Sequence, residues 1–251
     1  MEVLGIDIGG TGIKGAPVNV RTRELTGERV KILTPNPSTP KKVAGVINEI
    51  AQRFQWQGRI GVGFPGVVKQ GKIFTAVNLD TSWIGVAIEQ LVERETGCKA
   101  KAINDADAAG LAEMRFGAGQ NRMGKVILLT FGTGIGSAMF VDGKLFSNTE
   151  IGHLELRGKD AELRAAERVR IKKNLSWKNW GKRVAEYLEM LEWLFSPDLI
   201  IIGGGASKNY DKFSKSFSQL AVEIVPAKMG NLAGIIGAAL AADEETNVSI
   251  S

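Results

Sequence analysis

Short apolar runs that close on glycine turns alternate along this chain with stretches of helical spacing. Val3 to Ile8 is the first such run; it carries Asp7 near its end and opens into GGTG, the pattern of a strand delivering an acid to a loop. Strands are expected again at Gly15 to Val20 and Arg29 to Leu33, then a helix from Pro40 to Phe54. A further strand is expected at Arg59 to Phe64, closed by Pro65-Gly66. This order predicts an α/β chain with mixed sheets flanked by helices. The opening pattern then returns. Lys125 to Phe131 is apolar and ends in GTGIG, with another strand expected at Ser137 to Val141 and a turn at Asp142-Gly143. Two related lobes facing each other are the inference. Residues 160 to 195 have mostly helical periodicity, broken near Asn174 to Ser176. LIIIGGGAS reads as a buried strand and glycine turn, with helices expected after Ser207 and from Leu232 to Ala242. No heptad array, linker or low-complexity tract interrupts this, and the tail EETNVSIS reads as frayed.

Composition narrows the class. Of 251 residues, 44% are hydrophobic and 24% charged, which is ordinary for a globular protein. Cys98 is the sole cysteine, so neither an internal disulfide nor a multi-cysteine zinc site can form. A reducing compartment fits. No apolar run approaches the ~20 residues of a membrane helix, and the N-terminus lacks a signal-peptide pattern. The expectation is a soluble, cytoplasmic protein with no membrane partner.

Charge is distributed unevenly. The formal net charge is +5, yet Arg157 to Arg183 alone holds ten Lys/Arg against Asp160, Glu162 and Glu167, leaving the remainder negative. Such a segment gathers anions, or is simply a solvated helix face.

The candidate chemistry sits at the turns. DIGGTGIKG is neither GxxxxGK[ST] nor GxGxxG. Even so, Gly9, Gly10 and Gly12 can expose backbone N–H groups, while Thr11 adds a hydroxyl and Lys14 a charge, a set that suits phosphate oxygens. Asp7 could hold Mg²⁺ directly or through water. A tight hairpin explains the same residues without a ligand. In INDADAAG, Asp105 either caps a helix or stands at a strand end as a general base. The only histidine, His153, lies between acids, and a lone histidine is more often structural than functional.

The motifs DIGGTGIKG, GVGFPGVV, NLDTSW, INDADAAG, LTFGTGIGSAMFVDGKL and NTEIGH stand in the order that resembles ROK-family sugar kinases, within the actin-like and hexokinase-like (ASKHA, ribonuclease H-like) superfamily. The resemblance runs from about Val3 to Asp243. It implies a two-lobed α/β fold, with a smaller lobe over residues 1–108 and a larger one over 109–237. The C-terminal helix, about 238–251, would pack back on the first lobe. It implies Asp105 as the base that takes the proton from the sugar 6-hydroxyl, with Asn78, Asn104, Glu150 and His153 bonding the other hydroxyls and Gly66 shaping the pocket. Gly9 to Lys14 and Gly132, Thr133 and Gly134 would grip the phosphoryl donor, and Gly203, Gly204 and Gly205 would line its channel. Positioning, electrostatic clamping and Mg²⁺ then carry phosphoryl transfer.

Many members follow this histidine with a cysteine-rich zinc motif, where this chain reads LELRGKDAELRAA; no zinc is expected. His153 then becomes a sugar ligand, with Glu162 sharing the task and Glu155 a weaker candidate. GFPGVV, NLDTSWIG and LRAAERVR…LSWKNW resemble the subgroup that phosphorylates glucose from inorganic polyphosphate, with ATP as an additional donor in some members. In that case Arg157, Arg164, Arg168, Lys172 and Lys173 form a polyphosphate track. The alternative is an ATP-dependent glucokinase, glucomannokinase or fructokinase; mannose differs from glucose at one hydroxyl. A sugar-responsive repressor is disfavoured because DIGGTG begins at residue 7, with no recognisable DNA-reading module, so no nucleic-acid partner is expected. An actin-like nucleotide switch would not require Asp105 together with His153. Relatives often dimerise through the larger lobe, which implies a homodimer.

Overall fold

A computed structural model of the chain describes residues 1–243; the expected frayed tail and the end of the expected C-terminal helix lie outside the described residues. The described residues divide into two compact units, Met1–Ala112 with those from Leu232 onward, and Glu113–Asn231. The first holds β1 (Glu2–Ile8), β2 (Ile13–Asn19), β3 (Val30–Ile32), α1 (Pro40–Arg53), β4 (Ile60–Phe64), the hairpin β5 (Val68–Lys69) and β6 (Lys72–Ile73), α2 (Ile88–Thr96), β7 (Ala100–Asn104) and the start of α3 (Asp105–Phe116). The second holds the end of α3, β8 (Lys125–Phe131), β9 (Ile135–Val141), β10 (Lys144–Phe146), α4 (Glu162–Ala165), α5 (Glu167–Lys172), α6 (Trp177–Phe195), β11 (Leu199–Gly204) and β12 (Glu223–Pro226). The chain then returns to the first unit as α7 (Ala233–Ala241).

The two main sheets repeat one plan. Their orders are β3-β2-β1-β4-β7 and β10-β9-β8-β11-β12. In each, the first strand of the unit pairs antiparallel with its successor and parallel with a strand reached by crossover. This is the repeat the apolar runs predict. Those runs are continuous rather than alternating because the central strands are covered on both faces; all five residues of β4 are buried.

Glycine accounts for how closely α7 approaches the first sheet and α3. A Cβ on Gly61 would stand 1.8 Å from the Ala238 carbonyl oxygen, and one on Gly237 would stand 1.6 Å from that of Ala108. Backbone therefore lies directly on backbone at both crossings. The second core gathers around α6, which buries Trp180, Val184, Tyr187, Leu188 and Leu191 against Ile127, Leu129, Ile200 and Ile202. The Ser176 hydroxyl caps this helix by accepting from the Asn179 N–H, at the break the sequence predicts. Trp193, on the same helix, lies off this packed face and is 82% exposed.

Another difference falls after β11. In place of the expected helix, residues Gly205–Lys212 and Ser214–Phe217 form 3₁₀ turns, kinked at Asn209. Asn, Asp and Ser compete for the backbone in this stretch, and Tyr210, Phe213 and Phe217 are drawn into an aromatic cluster with Trp177 and Trp180.

Candidate active site

In the first unit the candidate residues collect at the C-terminal ends of β1, β4 and β7. Those strands run parallel, with Asp7 beside Gly63 and Phe64 beside Asn104. Strand ends of this kind are where open α/β sheets bind ligands. The hairpin after β1 is tight: Gly9 N–H donates to the Gly12 carbonyl at 3.1 Å. The Thr34 hydroxyl donates to the Gly9 carbonyl at 2.5 Å. Lys14 Nζ lies 2.9 Å from Asp7 Oδ2, so the cation and acid of the motif form one partly buried pair. A Cβ on Gly234, in the first turn of α7, would meet the Asp7 carboxylate at 2.8 Å, which sets that charge at the positive end of the helix. Asn78 borders the same hairpin, because a Cβ on Gly10 would lie 3.5 Å from its carbonyl oxygen. Asp7 offers a single protein carboxylate here, which fits a Mg²⁺ ion held chiefly by water and phosphate oxygens. Among the described residues, no group of three or more His, Cys, Asp and Glu is arranged to hold a metal.

Asn104, not Asp105, is the main helix cap. Its Oδ1 accepts from the Ala106 and Asp107 N–H groups at 2.9 and 3.0 Å, and its Nδ2 donates to the Gly66 carbonyl at 3.1 Å. The buried amide thus ties the Pro65-Gly66 turn to the start of α3. Asp105 follows at the first helical position, partly exposed, with Oδ1 accepting from the Ala106 N–H at 2.8 Å. The sequence leaves capping and catalysis as competing fates for this aspartate; the neighbouring asparagine does most of the capping.

In the second unit, the two glycine turns leave neighbouring strands. β8 and β11 are parallel, with Thr130 opposite Gly203 and Phe131 opposite Gly204. Gly132, Thr133 and Gly134 follow the first strand, and Gly205 follows the second. The loops are braced by acids and backbone from α4 and α5. Glu162 Oε2 accepts from the Ile135 N–H at 3.3 Å, and the Arg168 N–H donates to the Gly132 carbonyl at 3.0 Å. A Cβ on Gly205 would meet Glu167 Oε2 at 2.9 Å.

Glu150 precedes and His153 ends a single 3₁₀ turn, Ile151–His153, seated on β9. The buried Ser137 hydroxyl donates to the Thr149 carbonyl and accepts from the Ile151 N–H, which fixes the turn. Burial pushes the Glu150 carboxyl up and Glu162 adds to the shift, while His153 opposes it. His153 Nδ1 lies 2.9 Å from Asp160 Oδ2. That hydrogen bond raises the imidazole above its ordinary value, with Glu162 and Glu150 reinforcing it against desolvation.

The basic segment is not uniform. Arg157 and Arg164 both bond Glu186 of α6, Arg164 through Nε at 2.7 Å. Burial works against the Glu186 charge, but the two guanidiniums outweigh it and hold its carboxyl below the usual range. Arg170 packs 3.9 Å over the Trp177 ring. Arg168, Lys172 and Lys173 are exposed. Glu186 and Asp160 carry no signal in the sequence that marks them as partners, since each pairing spans a turn or a helix.

The chain belongs to the ROK family, whose profile matches residues 3–163. Its fold is the α/β, actin-like and hexokinase-like one with mixed sheets flanked by helices. It is similar to the polyphosphate glucokinase of Mycobacterium tuberculosis (strain ATCC 25618 / H37Rv), at 49% identity over 97% of this chain and 92% of that protein. The inorganic polyphosphate/ATP-glucomannokinase of Arthrobacter sp. strain KM matches with a TM-score of 0.91 and 42% identity, covering 99% of each chain. A ROK glucokinase from Streptomyces griseus, solved with glucose and AMPPNP, shares the fold at TM-score 0.83 and 24% identity, covering 95% of this chain and 98% of that one. Among the described residues, no helix is long and apolar enough to cross a membrane.

Proposed function

We propose that the protein is a kinase that transfers a phosphoryl group from inorganic polyphosphate, and also from ATP, to the 6-hydroxyl of glucose. The observation that carries this reading is the placement of Asp105. It stands one residue past the strand end at Asn104, with its cap function taken over by that asparagine, in a sheet whose β1 end bears the Gly9–Gly12 hairpin. The names of the similar proteins from Mycobacterium and Arthrobacter support the same donor and acceptor.

In this reading Asp105 accepts the proton of the attacking hydroxyl, and the transfer is driven by positioning and charge. Asn78 is a sugar contact. Asn104 has committed its Oδ1 and one Nδ2 hydrogen, so it mainly holds Gly66 and α3 in place and offers at most one further N–H to the sugar. Glu150, His153 and Glu162 are further sugar contacts in this reading. The backbone amides of Gly10, Thr11 and Gly12, with Lys14, meet donor phosphate, as do Thr133, Gly134 and Gly203 to Gly205, while the Gly9 and Gly132 amides close their turns on the Gly12 and Gly134 carbonyls and shape the two loops. Mg²⁺, where bound, neutralises donor charge, with Asp7 as its protein ligand directly or through water. Mannose as a second acceptor and a homodimeric state belong to the same proposal.

For the polyphosphate track we favour three of the five cations. Arg157 and Arg164 are engaged by Glu186, whereas Arg168 adjoins the Gly132 loop and continues into exposed Lys172 and Lys173. Substituting Gln at those three positions together removes three phosphate contacts. The expected result is a KM for long-chain polyphosphate raised roughly tenfold or more, with a shallower salt dependence. The KM for ATP should change by less than about twofold. Initial rates with both donors, at matched phosphate and several salt concentrations, check this. Wild-type turnover on ATP alone would remove the polyphosphate claim, and equal losses on both donors would remove the track.

A further inference from the structure

The residues that follow His153 form a two-residue hairpin whose purpose the proposed chemistry leaves unassigned. Leu156 N–H donates to the Lys159 carbonyl at 2.7 Å, Ala161 N–H donates to the Leu154 carbonyl at 2.9 Å, and Glu155 pairs with Asp160. Arg157 and Gly158 at the tip have φ of 55° and 74°, the left-handed pair of a type I′ turn, in which Gly is favoured at the second place. The tip is anchored by Arg157 on Glu186, and α4, just beyond, is anchored by Arg164 on the same carboxylate. Asp160 is therefore held on both sides by backbone hydrogen bonds, with its carboxylate aimed at His153.

A carboxylate oxygen accepts and cannot donate, so the proton between Asp160 and His153 resides on Nδ1. Nε2 is left with its lone pair. The second nitrogen of an imidazole takes the role left by the first. Both side chains are nearly half exposed, at 46% and 48%, so the pair adds little to folding stability. Its consequence is the choice of tautomer. We infer that Asp160 is a positioning residue that fixes neutral His153 with its proton on Nδ1, presenting Nε2 as an acceptor for a hydroxyl of the hexose. The inference rests on the reading of His153 as a sugar contact.

The acceptor form has a pH window. Asp160, Glu150 and Glu162 all face the imidazole and favour its charged form, with the first through the hydrogen bond, so its midpoint lies above the ordinary 6.5. Nε2 accepts only above that midpoint; below it the ring is doubly protonated and Nε2 donates. Glucose affinity is thus expected to fall as pH drops through a point higher than 6.5.

The chain has one histidine, which makes the test direct. In ¹⁵N-labelled wild type above the midpoint, long-range ¹H–¹⁵N correlation should show protonated Nδ1 and bare Nε2. Asp160→Ala should move the population toward protonated Nε2 and lower the midpoint. Its KM for glucose should rise roughly 3- to 10-fold, the scale of one lost hydrogen bond, while kcat changes by less than about twofold. Asp160→Glu should restore part of both. Wild type with its proton on Nε2 overturns the inference even if no variant folds, as does Asp160→Ala that retains the wild-type tautomer and KM. Glucose that leaves the wild-type Nε2 resonance unmoved overturns the sugar contact itself and hence the reading beneath it.

Discussion

Asp105→Asn should lower turnover by about two to four orders of magnitude while leaving glucose affinity within a few-fold of wild type. Asparagine keeps the shape of the side chain and an oxygen to accept from the Ala106 N–H, so the first turn of α3 stays in place. The cap itself belongs to Asn104, which the substitution does not touch. What disappears is the group able to take a proton from the 6-hydroxyl. Single-turnover rates separate chemistry from binding, and calorimetry gives the glucose affinity. Turnover near wild type would remove Asp105 from the base role, whatever the donor.

Glu113→Ala should have the largest effect on folding. Glu113 is 1% exposed, and its two carboxylate oxygens accept from three backbone N–H groups: Ala118 at 2.8 Å, Lys228 at 3.1 Å and Met229 at 2.6 Å. The chain passes between its two compact units at Ala112–Glu113 and again at Asn231–Leu232, so this carboxylate joins the segments that make the two crossings. Alanine would leave three amides without their acceptor, at a cost of about 1–3 kcal/mol each where water cannot replace it. A fall in Tm of roughly 10 °C or more is expected by calorimetry. Glu113→Gln keeps one acceptor oxygen, able to serve one or two of the three N–H groups, and should cost less. Equal Tm for wild type and Glu113→Ala would show that the carboxylate does not hold this junction.

Local signals made much of the fold legible in the sequence. β8 runs from Lys125 to Phe131 as its apolar run implies, and both glycine turns follow the strands expected to precede them. Such elements declare themselves through neighbours in the chain. The 3₁₀ turns after Gly205 did not, because the aromatic cluster that shapes them draws on Trp177 and Trp180, far earlier in sequence. Trp193 likewise shares helical spacing with buried residues yet lies off the packed face of α6.

The candidate site shows the same limit. The glycine motifs and the Asn104-Asp105 pair were legible, but which of the two caps α3 depends on the side-chain rotamers and on Gly66, 38 residues away. Glu113 reads as an ordinary acid on a helix until Lys228 and Met229 are brought to it. Arg157 and Arg164 count toward a cationic track in one dimension and prove to be held by Glu186 in three. Charge along a sequence measures what is present, and pairing determines what is left to meet a ligand.

The most direct test of the phosphoryl-transfer account is a crystal structure of the protein with glucose bound. An Asp105 carboxylate oxygen within about 3 Å of the sugar 6-hydroxyl is the predicted result. Glucose bound with that hydroxyl turned away from Asp105, beyond the reach of a hydrogen bond or one bridging water, would contradict it.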